Sequence, residues 1–122
     1  PVCPDDGRAL MGSVRCDGRF VEDEGWHAAQ ARYKAFLAAH EDDAILYLEL
    51  GVGLNTPVII KYPFWYYTKM NPNAFYTSIN LSGAACSSSI RKRSLCIEAD
   101  IGKVLHDLSR MGKVPSGEGV IV

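Results

Sequence analysis

Ala44-Ile45-Leu46-Tyr47-Leu48-Glu49-Leu50-Gly51-Val52-Gly53-Leu54-Asn55-Thr56-Pro57 is the stretch whose reading decides the fold. Its first half is a near-continuous apolar run of strand length, as expected of a strand covered on both faces. A Gly-Val-Gly bend follows, and Thr-Pro then marks a helix start whose first N–H groups lack intrahelical partners. Chains use this order to bring backbone amides close to a ligand at the carboxyl end of a parallel sheet. The plain alternative is an ordinary strand-to-helix turn with an Asn-Thr cap, because short glycine patterns recur widely.

Working downstream, a helix is expected from Pro57 to about Met70, with a kink or break near Lys61-Tyr62 because Pro63 lies inside it. The Asn71-Pro72-Asn73 turn leads to a strand over Ala74–Asn80, and residues 81–93 read as a loop ending in Arg91-Lys92-Arg93. A last strand, Ser94–Glu98, and a last helix, Ile101–Met111, precede the stop signal Gly112. Upstream, Trp26, Ala29, Tyr33, Phe36 and Leu37 recur at helical spacing between Glu24 and about His40. The acidic run Glu22-Asp23-Glu24 suits that helix's amino end. Residues 1–8 are turn-like, residues 9–16 suggest a short strand ending at Cys16, and Asp17-Gly18 is a turn signal. The order strand, helix, strand, loop, strand, helix describes one half of a doubly wound α/β sheet. Such a half has an open edge, which predicts self-association.

At 122 residues the chain amounts to one domain with a modest core. Its 48% hydrophobic and 22% charged residues are those of a globular protein, and a net charge of −1 gives no reason to expect nucleic acid or an anionic membrane as partner. No apolar run approaches the ~20 residues that span a bilayer, and no signal-peptide pattern opens the chain. The four scattered cysteines fit a reducing cytoplasm better than a disulfide framework.

Four segments, in order, carry a resemblance. Tyr47 to Trp65, reading YLELGVGLNTPVIIKYPFW, looks like the signature of bacterial sirtuin-like proteins, with the macrodomain-linked sirtuins as the nearest branch. Arg15-Cys16-Asp17-Gly18-Arg19-Phe20-Val21-Glu22-Asp23-Glu24-Gly25-Trp26-His27 resembles the segment leaving that family's small cysteine-bearing module. Ser78-Ile79-Asn80 resembles the strand ending in its ribose-contacting Asn, and Leu95 to Leu105 its final strand and helix. The resemblance covers roughly residues 1 to 108. It implies the C-terminal half of a Rossmann-like NAD-binding domain over 23–111, a remnant of the cysteine-bearing module over 1–22, and a mobile tail over 112–122. It further implies that Gly51, Gly53, Asn55 and Thr56 contact the ribose and phosphates of NAD, that Asn80 meets a ribose hydroxyl, and that Asp100 and Ile101 flank the adenine. The alternatives are a structural turn, a loop-starting Asn, and an N-cap role for Asp100.

The family's Gly-Ala-Gly phosphate loop and the residues acting on the nicotinamide ribose have no counterpart in the sequence, so it reads as the C-terminal part of a longer protein. Pro1-Val2-Cys3-Pro4 resembles the inside of a Cys-Pro-x-Cys knuckle, which makes Cys3 and Cys16 candidate zinc ligands, although a structural zinc site usually needs four. The parent enzyme would use NAD to ADP-ribosylate a protein, a lipoylated carrier among the acceptors, or to deacylate lysine, and this half alone would be inactive. The competing reading is a non-enzymatic half-domain acting in oligomerisation or partner binding.

The remaining clusters have simpler explanations. Glu22-Asp23-Glu24 with His27 reads as a charged helix start, and Tyr62, Phe64, Trp65, Tyr66 and Tyr67 as core packing ahead of base stacking. Arg91-Lys92-Arg93 reads as a solvated loop, Cys86 as a loop cysteine and Cys96 as a core cysteine. Nothing forms a nucleophile, base and orienter set.

Overall fold

The computed structural model describes residues 2–10, 20–55, 57–111 and 120–121. Most of the strand expected over 9–16, and all of the tail expected to be mobile except 120–121, lie outside the described residues. The chain divides into two compact units, Pro1–Ala39 and His40–Val122.

In the first unit, Val2 and Ala9 form an antiparallel bridge around a turn closed by Cys3 N–H to the Arg8 carbonyl (2.8 Å) and Gly7 N–H to the Cys3 carbonyl (2.9 Å). Helix α1 spans Glu24–Ala39. Its start is set by Asp23, whose carboxylate accepts from the Trp26 N–H at 2.7 Å, while the Asp23 carbonyl accepts from His27 N–H. The acidic run is therefore a helix start, as its position suggests.

The second unit is α/β, with strands β1 (Ile45–Leu50), β2 (Phe75–Asn80), β3 (Ser94–Glu98) and β4 (Val120–Ile121), and helices α2 (Lys61–Met70) and α3 (Ile101–Arg110). All strand pairs are parallel, in the order β3-β2-β1-β4. The register places Tyr47 beside Tyr76 and Tyr76 beside Ser94, so the three main strands end together at Leu50, Asn80 and Glu98. This is the half of a doubly wound sheet that the sequence order implies. Among the described residues β4 pairs with Ile45 and Leu46 on the other side of β1, within the segment expected to be a tail.

Alternation along β1 sends Ile45, Tyr47 and Glu49 to one buried face. Helix α2 packs on that face: the Tyr47 ring lies 5.1 Å from Phe64 and 5.9 Å from Tyr67, and Trp65 meets Tyr76 edge-on at 6.4 Å. The aromatic run is thus largely a packing face, with Tyr62 and Tyr66 exposed. Proline sets where α2 begins. Residues 57–60 form turns, and regular helix starts at Lys61, leaving Pro63 in the first turn, where a missing N–H breaks no helical bond.

At the amino end of the sheet, side-chain amides tie the connections together. Asn71 and Asn73 donate to the Asp43 and Asp42 carbonyls, each at 2.8 Å. A 3₁₀ segment, Ser88–Arg93, occupies the end of the loop expected over 81–93, and Arg93 reaches back from it to the carbonyls of Asn71 (2.7 Å) and Ala74 (2.9 Å). Arg93 is therefore an anchor for the β2 connection and not part of a solvated loop, while Arg91 and Lys92 are exposed. Among the described residues no helix is long and apolar enough to cross a membrane.

Candidate functional site

Parallel strands put their carboxyl ends on one edge, and four of the residues singled out from the sequence lie there. Gly51 leaves β1 with φ +72°, a left-handed conformation that L side chains rarely adopt. Its N–H donates to the Ile79 carbonyl at 2.9 Å, extending the β1–β2 ladder by one step. A Cβ built there would meet Ile101 Cδ1 at 3.4 Å, so the bend of the first crossover and the start of α3 are neighbours. Ala99 N–H likewise donates to the Asn80 carbonyl at 2.9 Å, bringing the end of β2 beside the β3–α3 junction. Gly51, Asn80, Asp100 and Ile101 thus share one edge.

Their side chains have defined local partners. Asn80 accepts from the Leu81 N–H at 2.9 Å, and Asp100 accepts from the Lys103 N–H at 2.8 Å as the N-cap of α3. Ile101 is half-buried. Gly53 and Asn55 are exposed within the loop that follows Gly51, and the Gly53 backbone, unlike that of Gly51, is outside the left-handed region. Thr56 lies outside the described residues. A third glycine at this edge escaped the sequence reading: Gly83, with φ +69°, donates its N–H to the Glu98 carboxylate at 2.7 Å.

Directly beneath the Gly51 loop is the feature that motif reading missed. Glu49, one residue before the end of β1, and Lys61, the first residue of α2, form an ion pair at 2.5 Å with both side chains 0% exposed. Lys61 Nζ also lies 3.4 Å from the Tyr76 hydroxyl and 5.9 Å from the centre of the Trp65 ring. Burial, reinforced by the Glu49 carboxylate, raises the Tyr76 phenol well above its ordinary pKa, and its hydroxyl donates to the Ala85 carbonyl at 3.2 Å. Glu49 Oε1, Trp65 Nε1 and Ser78 Oγ are buried without a formed hydrogen bond, so the surroundings of the pair are polar but incompletely satisfied. The available signal was Glu49 itself, a carboxylate at an inward position of an apolar strand, which requires a cation near by.

On the Cys96 side of β3 a cavity of about 300 Å³ is lined by Ala84, Ala85, Cys86, Ser88, Arg91 and Cys96. Burial, with Cys86 adjoining, pushes the Cys96 thiol up to about 11. Cys96 is half-buried, not fully enclosed.

Cys3 sits in the turn of the first unit, and Cys16 lies outside the described residues. Among the described residues no group of three or more His, Cys, Asp or Glu is arranged to hold a metal. Cys3 by itself falls short of the four ligands that a structural zinc ion takes. An NAD molecule fits the character of the carboxyl edge better: a backbone bend without Cβ at Gly51, a carboxamide at Asn80 and an apolar Ile101.

No protein-family profile matches the chain. A curated relative does: over 106 residues the chain is 37% identical to the protein named "Protein ADP-ribosyltransferase" from Staphylococcus aureus, a match covering 86% of this chain. It covers 34% of that protein, so the chain spans about a third of the relative's length.

Proposed function

We propose that this chain is the adenosine-binding half of a sirtuin-like enzyme that uses NAD to ADP-ribosylate a protein. The observation that carries the reading is the convergence of Gly51, Asn80, Asp100 and Ile101 on one carboxyl edge of a parallel sheet. The name of the relative supports ADP-ribosyl transfer over lysine deacylation as the parent reaction. In that role Gly51 and Gly53 let the cofactor approach the backbone, and Asn55 with Thr56 offers hydrogen bonds to its ribose and phosphates. Asn80 orients a ribose hydroxyl, while the Asp100 backbone and the Ile101 side chain line the adenine. NAD supplies the ADP-ribosyl group and nicotinamide is the leaving group. The groups acting on the nicotinamide ribose belong to the parent protein outside this chain, and the protein acceptor, a lipoylated carrier in the reading favoured by the resemblance, would dock with them.

Calorimetric titration with NAD tests the reading. Saturable binding is expected, weakened by Asn55→Ala and by Asn80→Ala, with no nicotinamide released by this chain alone. Absence of heat at millimolar NAD would remove the cofactor-binding role from this half. The second reading, a non-enzymatic half-domain that self-associates through its sheet edge, is favoured by the β4 pairing, which among the described residues engages Ile45 and Leu46 of β1. Sedimentation of the same sample would separate the two: a monomer that binds NAD excludes the oligomerisation module.

A further inference from the structure

We propose that the buried Glu49–Lys61 ion pair is a positioning device that holds the 51–60 loop in the conformation that meets NAD. The inference rests on reading that loop as the cofactor-contacting one, and its own geometry supplies the rest. The two residues stand twelve positions apart and bracket the loop, Glu49 next to the end of β1 and Lys61 at the first position of α2. Both ends of the loop are thereby fixed to one point inside the protein. Among the described residues, main-chain bonds secure only the far end of the loop, where Tyr62 N–H donates to the Pro57 carbonyl (2.8 Å) and Phe64 N–H to the Ile60 carbonyl (3.0 Å). The residue before α2, Ile60, makes no side-chain cap, and Leu54, Val58 and Ile59 are exposed while Val52 and Pro57 are half-buried, so apolar burial holds the segment only weakly.

The pair is poorly suited to the alternative role of general stabilisation. Removing two charges from water offsets most of their attraction, and well-packed apolar replacements of similar size are often at least as stable. What an ion pair adds is geometry, because a buried charge tolerates few arrangements of the groups around it. Tyr76 and Trp65 hold Lys61 from the β2 and α2 sides, so displacement of the loop's far end would strand its ammonium group among aromatic rings. Lys61 itself is wholly buried and so does not touch the cofactor. It acts through the loop.

The experiment compares this chain with Lys61→Met and with the neutral double variant Glu49→Gln/Lys61→Met, by hydrogen exchange of backbone amides and by NAD titration. Lys61→Met leaves a buried carboxylate alone and destabilises the whole unit, so the double variant decides. Positioning predicts that the double variant keeps β2 and β3 amide protection, while the Gly51, Tyr62 and Phe64 amides, which donate at the two ends of the loop, exchange at least about tenfold faster and NAD binds about tenfold more weakly. Loop exchange and affinity within about twofold of the unmodified chain would overturn the proposal, as would an equal loss of protection throughout the sheet. If the unmodified chain binds no NAD, the cofactor reading fails by itself, and the loop exchange still decides whether the pair positions the segment.

Discussion

At the scale of single residues, Gly51 shows how backbone conformation and site are joined. Its left-handed φ turns the chain off β1, and the space its missing Cβ leaves lies against Ile101. In Gly51→Ala the 3.4 Å approach to Ile101 is ordinary contact, so the penalty is conformational. A loss of about 1–2 kcal/mol in urea denaturation is expected, together with weaker NAD binding. An unchanged midpoint would show that the loop relaxes into a right-handed path. Both glycines of the bend were visible in the sequence, but nothing in their neighbours tells Gly51 from Gly53. Only the φ values separate the residue that must be glycine from the one that need not be. Glu49 and Lys61 were hidden for a different reason: each is an ordinary residue in its own element, and their meaning is a distance of 2.5 Å across twelve positions.

At the scale of elements, strands and helices were legible because their signals are local. The apolar run of β1, the helical spacing in α1 and the Pro63 constraint on α2 all act within a few residues. Connections were less legible. The segment ending in Arg91-Lys92-Arg93 has the composition of a solvated loop, yet Arg93 donates to two main-chain carbonyls of the turn before β2. Hydrogen bonds from a charged donor are stronger than neutral ones, so Arg93→Ala should lower stability by about 2 kcal/mol. Arg91→Ala, at an exposed position, should leave the melting midpoint nearly unchanged. Equal effects of the two substitutions in thermal melts would mean that the Arg93 contacts do not anchor the connection.

At the scale of the whole molecule, buried weak acids make a prediction about alkaline pH. Cys96 is pushed up to about 11 from an ordinary value of 9.0, and Tyr76 is also raised, both chiefly by burial. Each group keeps its proton longer in the folded chain than in the unfolded one. Their contribution is therefore complete below the unfolded pKa and is lost as pH rises through the folded value. Urea midpoints should hold steady towards pH 9 and fall as the pH approaches 11, with Cys96→Ser flattening the first part of the decline. A midpoint constant across that interval would contradict the burial of these groups. The order of the strands and helices from α1 to α3, the parallel α/β class and the bend from Gly51 to Asn55 could be read from the chain alone, because period, glycine and proline act on neighbouring bonds. Folding in three dimensions was needed to place Gly51, Asn80, Asp100 and Ile101 on one edge, and to bring Glu49 and Lys61 together beneath it. Strand register and the pairing of buried charges are relations between distant segments, and no local pattern fixes them.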